Sequence, residues 1–309
     1  MKPFAFSEQG KFFKGNLHTH SSRSDGVLEP FDVCERYKKN GYNFICLSDH
    51  LVELYGYPLV DTSAYRTAEF TTLIGAEVHS DQMKNGEIWH LLAVGLPLDF
   101  TPPKAPHFKP IPNMESASNL ARRCVEAGAF LSIAHPQWSG LTLEDARLID
   151  VAHAVEIYNH GSAVECDRGG GLSILDLLLT EGKKLNLIAS DDAHFKQKDY
   201  FGGWVMVKAK KNSPDDILES LKKGSFYSSQ GPDFFDIEIN LKNILIKTSP
   251  VSSVIVLGRG SAAEAVQGSD LTESIISLKR FYSCDWIRVA IVDSNGRKAW
   301  SNPIWDFKY

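Results

Sequence analysis

The sequence has few cysteines and no long apolar segment, and each shortage excludes a class of protein. Its five cysteines lie a dozen or more residues apart, so there is no Cys-x-x-Cys motif for a redox centre or zinc ribbon, and we expect reduced thiols. No stretch approaches the roughly 18 consecutive apolar residues of a membrane-spanning helix, and the N-terminus has no apolar core of signal-peptide type. We therefore expect a cytoplasmic protein with no membrane partner.

A basic segment is also missing. The chain has 33 Lys and Arg residues against 38 Asp and Glu residues, a formal net charge of -5, and no cluster of basic residues. This balance argues against a nucleic-acid polymer as the partner. With 309 residues, of which 43% are hydrophobic, the chain can bury a large core. Nothing in the sequence predicts an oligomeric state.

Up to about residue 230, short β-rich segments alternate with helical patterns. The predicted strands are residues 16–20, 44–48, 73–78, 91–95, 130–134, 154–158 and 187–190. The predicted helices are residues 30–41, 115–127, 143–150, 172–181 and 214–222. Such alternation is typical of an α/β barrel with crossover helices. Residues 97–112 contain six prolines, which predicts a surface loop.

After Gly231-Pro232 the pattern changes to short strands without intervening helices. These predicted strands are residues 235–239, 244–248, 253–257, 273–279, 287–292 and 298–300. We therefore predict two domains, a barrel over residues 1–232 and a small all-β C-terminal domain over residues 233–309.

Most of the ten histidines stand near the end of a predicted strand rather than on a helix surface. His18 and His20, for example, close the first strand, where residues i and i+2 point to the same face. The polar residues at strand ends are His18, His20, Asp25, His50, Glu77, His90, His135, Glu156, His160, Asp191, Asp192 and His194. In a parallel barrel, the C-terminal ends of all strands meet at one rim, so we expect these side chains to converge there.

Mixed imidazole and carboxylate groups favour Mn²⁺, Fe²⁺ or Zn²⁺, whereas an all-oxygen set would suit Mg²⁺ or Ca²⁺. Their number exceeds what one ion needs, so we expect two or three divalent cations. Each motif alone has a plain structural explanation: Ser48-Asp49-His50 fits a helix cap, and Asp192-x-His194 fits a surface ion pair. A structural histidine has no reason to prefer strand ends, however, so the joint pattern favours a metal site.

Together these motifs resemble the PHP family, the polymerase and histidinol phosphatase domain. Members are metal-dependent phosphoesterases built on a distorted (β/α)₇ TIM-like barrel, and one branch carries a small C-terminal domain. The resemblance rests on His18-Thr-His20 with Asp25-Gly26, Ser48-Asp49-His50, Gly75-x-Glu77, His90, His135-Pro136 and Ser190-Asp-Asp192-x-His194.

The resemblance implies three groups of metal ligands, with Glu77 bridging the first two. The first group is His18, His20 and Asp192, the second is His90 and His135, and the third is Asp25, His50 and His194. Many members carry His where this chain has Asp25, which implies a weaker third site or one that prefers a harder metal. Asp49 and Asp191 are implied to orient ligating imidazoles. The implied reaction is attack of metal-bound hydroxide on phosphorus.

Besides Glu77, four residues are candidates for binding phosphate or protonating the leaving group: Arg23, Arg168, His160 and His79. An arginine offers a bidentate fork to phosphate, and histidine titrates near neutral pH. Each of them could equally well be a surface residue, or a residue that contacts a metal ligand without touching the substrate.

Three functions remain open at this point. The first is a phosphoesterase acting on a small phosphorylated molecule, such as a nucleotide or sugar phosphate, which Arg23 or Arg168 in the metal site would support. The second is hydrolysis of an amide, carbamate or ester, favoured by apolar walls such as Trp138 and Tyr158 without a cationic side chain. The third is a metal-dependent binding protein without catalysis, for which missing ligands would be the sign; none of the main ligands is missing.

Overall fold

The computed structural model of the chain describes residues 1–305 and 307. The strands up to residue 229 are β1 (Lys11–Asn16), β2 (Phe44–Leu47), β3 (Thr71–Gln82), β4 (Ile88–Val94), β5 (Phe130–Ile133), β6 (Ala154–Asn159), β7 (Asn186–Ser190), β8 (Trp204–Ala209) and β9 (Phe226–Ser229). The helices are α1 (Phe4–Ser7), α2 (Pro30–Lys39), α3 (Ala117–Glu126), α4 (Leu143–Ala146), α5 (His160–Cys166), α6 (Leu172–Thr180) and α7 (Pro214–Lys222). No helix in this described part is long and apolar enough to cross a bilayer.

Strands β1 to β7 follow one another in the sheet and form a distorted TIM-like barrel, as the sequence predicts. The pairs β1–β2, β2–β3, β5–β6 and β6–β7 are parallel. Strand β4 instead runs antiparallel to both β3 and β5, which is the distortion. Beyond β7, Ala193 forms a parallel bridge with Thr19 and brings the last strand back beside the first.

The barrel strands are apolar because both of their faces are covered. All four residues of β2 and all four of β5 are buried, and such continuous runs are typical of strands between a barrel interior and a helical layer. Helix α2 begins with Pro30, whose fixed φ suits a first helical turn, and packs Val33, Cys34 and Tyr37 inward.

The remaining strands are β10 (Phe234–Ile239), β11 (Asn243–Gly258), β12 (Ala263–Ser277), β13 (Trp286–Val292), β14 (Lys298–Ser301) and β15 (Ile304–Trp305), and their pairings are antiparallel. We call residues 234–305 the C-terminal β region. Strand β14 pairs with β9, so one sheet continues from the barrel into this region. The predicted domain boundary at residue 232 falls between β9 and β10 and stays a prediction.

Several predicted bounds differ from the structure. The first strand lies at residues 11–16 rather than 16–20, because residues 11–15 pair with β8. Lys14 is tolerated within it, since its ammonium lies 4.1 Å from the ring of Tyr42 and 3.8 Å from that of Trp204. Two predicted strands around Pro250 are one strand, β11, whose register with β12 shifts there and absorbs the missing N–H of proline. Strands β8 and β9 and helices α1 and α5 were not predicted, and α4 is shorter than predicted.

Candidate metal centre

The predicted ligands come together at one end of the barrel, which we call the barrel mouth. His18 and His20 follow the last residue of β1, and Asp192 and His194 follow β7. The bridge between Thr19 and Ala193 holds these two segments side by side. A second parallel bridge, between His50 and Glu77, brings the segment after β2 to the middle of β3. Backbone pairing therefore produces the convergence that strand-end positions predict.

Glu77 lies at the centre of this arrangement and is fully buried. Its Oε1 is 2.6 Å from Nδ1 of His90 and 3.0 Å from Nε2 of His135. His90 is on β4, almost opposite Glu77 in the β3–β4 hairpin, whereas His135 follows β5. One carboxylate oxygen thus faces the imidazoles implied for a second ion.

The other oxygen of Glu77 faces a different set of imidazoles. Oε2 is 2.8 Å from Nδ1 of His50, 3.4 Å from Nε2 of His18 and 3.5 Å from Nε2 of His20. Asp192 approaches the same place, with its Oδ1 3.2 Å from Nε2 of His18 and 2.9 Å from Nε2 of His20. The residues implied for the first ion are therefore adjacent.

The third implied group is more open. Oδ1 of Asp25 is 3.4 Å from Nε2 of His50, and its Oδ2 is 3.2 Å from Nε2 of His194. The ring of His20 lies 4.3 Å from the rings of both histidines. Lys196 also pairs with Asp25 at 3.2 Å, so a cationic side chain stands at the edge of this group.

The donor atoms fit divalent cations. Nε2 of His18 and Oε2 of Glu77 are buried without a hydrogen-bond partner, although such atoms normally have one. Three sets of four ligand atoms lie within 4.8 Å of one another: His18, His20, Glu77 and Asp192; His20, Asp25, His50 and His194; and His50, Glu77, His79 and His90. Buried, closely spaced imidazoles and carboxylates of this kind are what a site for several metal ions requires.

The charges of the cluster shift its pKa values in opposite directions. Burial opposes ionisation of Glu77, yet the nearby His50, His90 and His18 hold its pKa well below the usual range. Burial likewise lowers the pKa of His18, but Asp192, Glu156 and Glu77 outweigh it and raise the value well above normal. The pKa of His20 falls to about 4, because burial and the neighbouring His194 and His50 disfavour its charged form.

Glu156, in the middle of β6, was singled out by position but given no role, and the structure shows one. Its Oε1 is 3.0 Å from Nδ1 of His18 and also accepts a hydrogen bond from the hydroxyl of Ser190. Its Oε2 accepts from the backbone N–H of His135 at 2.6 Å and from the amide of Asn159 at 3.0 Å. The carboxylate therefore leaves Nε2 of His18 as the free ligand atom, as metal-binding histidines require.

The two aspartates expected to orient imidazoles make other contacts, and that interpretation was wrong. Asp49 accepts hydrogen bonds from the backbone N–H and hydroxyl of Ser21 and from the hydroxyl of Ser24. Asp191 accepts from the hydroxyl of Tyr37 and from the backbone N–H groups of residues 201–203. Both carboxylates shape the loops of the barrel mouth. Sequence spacing could not show this, because the partners are mostly backbone and hydroxyl groups.

The candidates for phosphate binding lie elsewhere than expected. Arg23 is exposed and pairs with Glu29 at 3.3 Å, and Arg168 is exposed just beyond α5. Nδ1 of His160 is 2.9 Å from the hydroxyl of Tyr158. His79 is completely buried, with Nε2 3.1 Å from Nδ1 of His50. Whether any of the four contacts a substrate stays a prediction.

A cavity of about 290 Å³ opens over the cluster. Its described lining is Asp25, His50, Glu77, Glu87, Ile88, His90, Phe108, His135, Trp138, Gly161, Ser162, Glu165, Asp192, His194 and Lys196. Neither Arg23, Arg168 nor His160 belongs to this lining. Phe108, from the proline-rich loop, and Trp138 form apolar walls, and Lys196 is the cationic side chain that sequence reasoning missed. It lies two residues after His194, at the same strand end.

With this geometry established, comparison with known proteins identifies the family. Residues 16–197 match the PHP domain, and the chain belongs to that family. Among curated proteins, no sequence match was found.

One of the similar solved structures supports the same fold. A two-domain protein from Bacteroides vulgatus ATCC 8482, described as containing a predicted PHP-like metal-dependent phosphoesterase, superimposes with a TM-score of 0.55 at 16% identity, covering 96% of this chain and 98% of that one. A proposed metal-dependent phosphoesterase from Bifidobacterium adolescentis ATCC 15703 gives 0.41 at 14% identity, covering 67% and 94%. An amidohydrolase from Chromobacterium violaceum with bound sulfate gives 0.41 at 16%, covering 58% and 87%. The first of these extends the likeness over the C-terminal β region.

Proposed function

We propose that this protein is a metal-dependent phosphoesterase acting on a small phosphorylated molecule, such as a nucleotide or sugar phosphate. The observation that carries the proposal is the setting of Glu77, a buried carboxylate whose two oxygens face different imidazoles, His90 and His135 on one side and His18 and His20 on the other. Such a carboxylate is suited to bridge two cations. Membership of the PHP family agrees with this chemistry.

The proposed ligands follow the observed groups. One ion is assigned to His18, His20, Asp192 and Oε2 of Glu77, a second to His90, His135 and Oε1 of Glu77, and a third to Asp25, His50 and His194. The mixed donor set favours Mn²⁺, Fe²⁺ or Zn²⁺. When bound, such ions would polarise a phosphoryl oxygen and lower the pKa of a coordinated water.

Residues around the cluster serve binding and orientation in this proposal. Glu156 fixes the tautomer of His18 by pairing with its Nδ1. Lys196, half exposed at the cavity, offers a flexible positive charge to a phosphate oxygen in place of the arginines predicted for that role. Phe108 and Trp138 wall the cavity and exclude water from one side of the bound ester.

The alternative of amide, carbamate or ester hydrolysis gains less support. Trp138 does line the cavity, but the hydroxyl of Tyr158 is engaged by His160 and its ring is outside the described lining. Apolar cavity walls without a cationic side chain would have favoured this alternative, but Lys196 places a cationic side chain in the lining. A non-catalytic binding protein is also disfavoured, because the structure brings all nine proposed ligands to the barrel mouth.

The proposal is tested by metal analysis of the purified protein, followed by a screen with added Mn²⁺. The screen contains phosphomonoesters, phosphodiesters, carboxyl esters and amides at equal concentration, with a chelator-treated sample as the control. We expect turnover of a phosphoester that the chelator abolishes and Mn²⁺ restores. Turnover of carboxyl esters or amides alone would reject the phosphoesterase assignment in favour of the alternative.

A further inference from the structure

His79 is a buried histidine for which the reaction outlined above has no use. It lies two residues after Glu77 on β3, so both side chains point to the same face, and it stands directly opposite His90 in the hairpin register. Its side chain is completely inaccessible to solvent, and its Nδ1 has no hydrogen-bond partner in the described part of the chain. Burying an unpaired polar atom lowers stability, so packing alone does not explain a histidine here.

Among the described residues, the one hydrogen bond of the His79 side chain is with a proposed metal ligand. Its Nε2 lies 3.1 Å from Nδ1 of His50, and the rings are 5.0 Å apart. A hydrogen bond between two imidazole nitrogens needs a proton on one and a lone pair on the other. The contact therefore links the tautomer of His79 to that of His50.

His50 can serve the third group only in one tautomer. Its Nε2 faces Asp25 at 3.4 Å and belongs with His20 and His194. A neutral imidazole carries one proton, so a bare Nε2 requires a proton on Nδ1 and an acceptor for it. Two acceptor atoms are near: Nε2 of His79 at 3.1 Å, which is placed to accept a hydrogen bond, and Oε2 of Glu77 at 2.8 Å, which makes no hydrogen bond in the described part of the chain.

When metal ions occupy the cluster, only Nε2 of His79 remains available to accept from His50. Oε2 of Glu77 also faces Nε2 of His18 and His20, the group assigned to the first ion. An oxygen bound to that ion is a weaker acceptor for His50. Nε2 of His79 makes no hydrogen bond besides the one with His50 among the described residues.

We propose that His79 is a positioning residue: its Nε2 accepts a hydrogen bond from Nδ1–H of His50 and so presents Nε2 of His50 to the third cation. This inference rests on the proposed metal centre. It differs from a direct role of His79 as a ligand beside Glu77 and His90, which the spacing of those atoms would also permit. Because the two roles act on different ions, metal binding separates them.

The test compares two amide substitutions that differ in reach. His79→Gln places its amide near the original Nε2 and keeps an acceptor for His50, whereas His79→Asn reaches only the position of Nδ1. Each full-length variant is stripped with chelator, titrated with Mn²⁺ while free Mn²⁺ is followed by electron paramagnetic resonance, and analysed for bound metal after desalting. Thermal unfolding of the metal-free proteins checks folding, and His79→Leu replaces His79→Asn if the latter does not fold.

We expect His79→Asn to weaken one Mn²⁺ site by about 10- to 100-fold, the usual effect of losing an orienting partner, with near wild-type binding in His79→Gln. The reference variants are His194→Ala, which removes a ligand of the third group alone, and His135→Ala, which removes a ligand of the second. Combining His79→Asn with His194→Ala should lower Mn²⁺ affinity no further than His194→Ala alone. Combining it with His135→Ala should give the sum of the two single losses in binding free energy.

Unchanged Mn²⁺ affinity in His79→Asn would overturn the inference, and so would an equal loss of Mn²⁺ affinity in His79→Gln. A third contradicting result is a loss of Mn²⁺ affinity that adds to that of His194→Ala but not to that of His135→Ala. The last result would make His79 a ligand of the second ion. If any of these results is found while the wild-type protein binds Mn²⁺ and hydrolyses phosphoesters, only the inference about His79 fails and the proposed function stands. A wild-type protein that binds none of Mn²⁺, Fe²⁺ and Zn²⁺ would overturn both.

Discussion

The barrel mouth and the C-terminal β region bury very different groups. All ten histidines lie between residues 18 and 194, and residues 195–309 contain none. The mouth buries imidazoles and carboxylates, and four of their ring or carboxylate atoms have no hydrogen-bond partner in the described part of the chain; the C-terminal β region has three such polar atoms, in Ser253, Ser274 and Trp286. The core of the C-terminal β region is mainly aliphatic, with residues such as Ile237, Ile246, Val289 and Ile291 inaccessible to solvent.

Because of this difference, we expect the barrel mouth to serve function and the C-terminal β region to serve stability. An unpaired buried polar group costs about 1–3 kcal/mol, whereas a fully buried aliphatic side chain contributes about 1.5–3 kcal/mol. In the metal-free state the mouth therefore weakens the fold, and the C-terminal β region strengthens it. The regions are not independent, because Trp286 and Trp300 pack into the same core as the barrel residues.

The largest effect should come from Glu77→Ala at the mouth. Removing the carboxylate that faces both imidazole sets should release about two metal equivalents and reduce phosphoester turnover by about 10²-fold or more, since charge stabilisation at the phosphoryl group depends on those ions. The measurements are bound metal after desalting and turnover with excess Mn²⁺. Glu87→Ala, on the cavity wall but outside the cluster, is the matched control, and normal metal content in Glu77→Ala would contradict the assignment.

Ile291→Ala tests the other region. Ile291 is fully buried in β13, so the truncation should lower the free energy of unfolding by about 2–5 kcal/mol. Bound metal per folded molecule should stay at the wild-type level, because no ligand lies in this region. Urea denaturation with parallel metal analysis provides the check. Loss of metal from the folded variant would show that the two regions are not separable in this way.

Arg288 joins the two regions, and its replacement should have an intermediate effect. Its guanidinium, nearly inaccessible, makes two hydrogen bonds to Asp176 of α6, at 2.9 and 2.7 Å. Arg288→Ala should lower stability by about 1.5–3 kcal/mol, as expected for hydrogen bonds to charged groups. A double-mutant cycle with Asp176→Ala measures the coupling. Fully additive losses would show that the pair does not tie the regions together.

Lys196→Ala examines the substrate side of the mouth. Loss of one phosphate contact should raise KM about tenfold, equivalent to roughly 1.4 kcal/mol, with little change in kcat. Steady-state kinetics on whichever phosphoester the screen identifies will measure it, with the exposed Lys198→Ala as control. An unchanged KM would mean that the cation at the cavity does not bind the substrate.

The smallest expected difference concerns how the regions unfold. Burial raises the pKa of Cys124 in the barrel to about 12 and so suppresses its reactivity, and Cys284 is buried in the C-terminal β region. In a Cys166→Ser background, which removes the exposed thiol, both should react with a thiol reagent at the same rate in rising urea, since β9–β14 pairing joins the regions. Earlier labelling of Cys284 would show independent opening.

Strand-end position is a local property that the sequence itself shows. The structure places His18 and Asp192 close together just after β1 and β7, as expected of a barrel that brings the ends of its strands to one rim. The grouping came from the family resemblance, and the assignment of these residues to metal ions stays a prediction.

Contacts that depend on side-chain direction could not be read from spacing. Arg23 has the right chemistry for phosphate but turns to Glu29, and Lys196 stands at the cavity instead. The orienting role expected of Asp49 and Asp191 belongs to Glu156 in the case of His18. Strand β8 was not predicted, although its residues alternate between buried and partly exposed.

The central claim is that Glu77 bridges two cations at the barrel mouth. Crystals grown with Mn²⁺ and measured at the manganese absorption edge would test it most directly, because anomalous peaks locate the ions themselves. We predict one peak between Oε2 of Glu77, His18 and Asp192, and another between Oε1 of Glu77, His90 and His135. Peaks on another face of the protein, or no peak touching Glu77, would contradict the account.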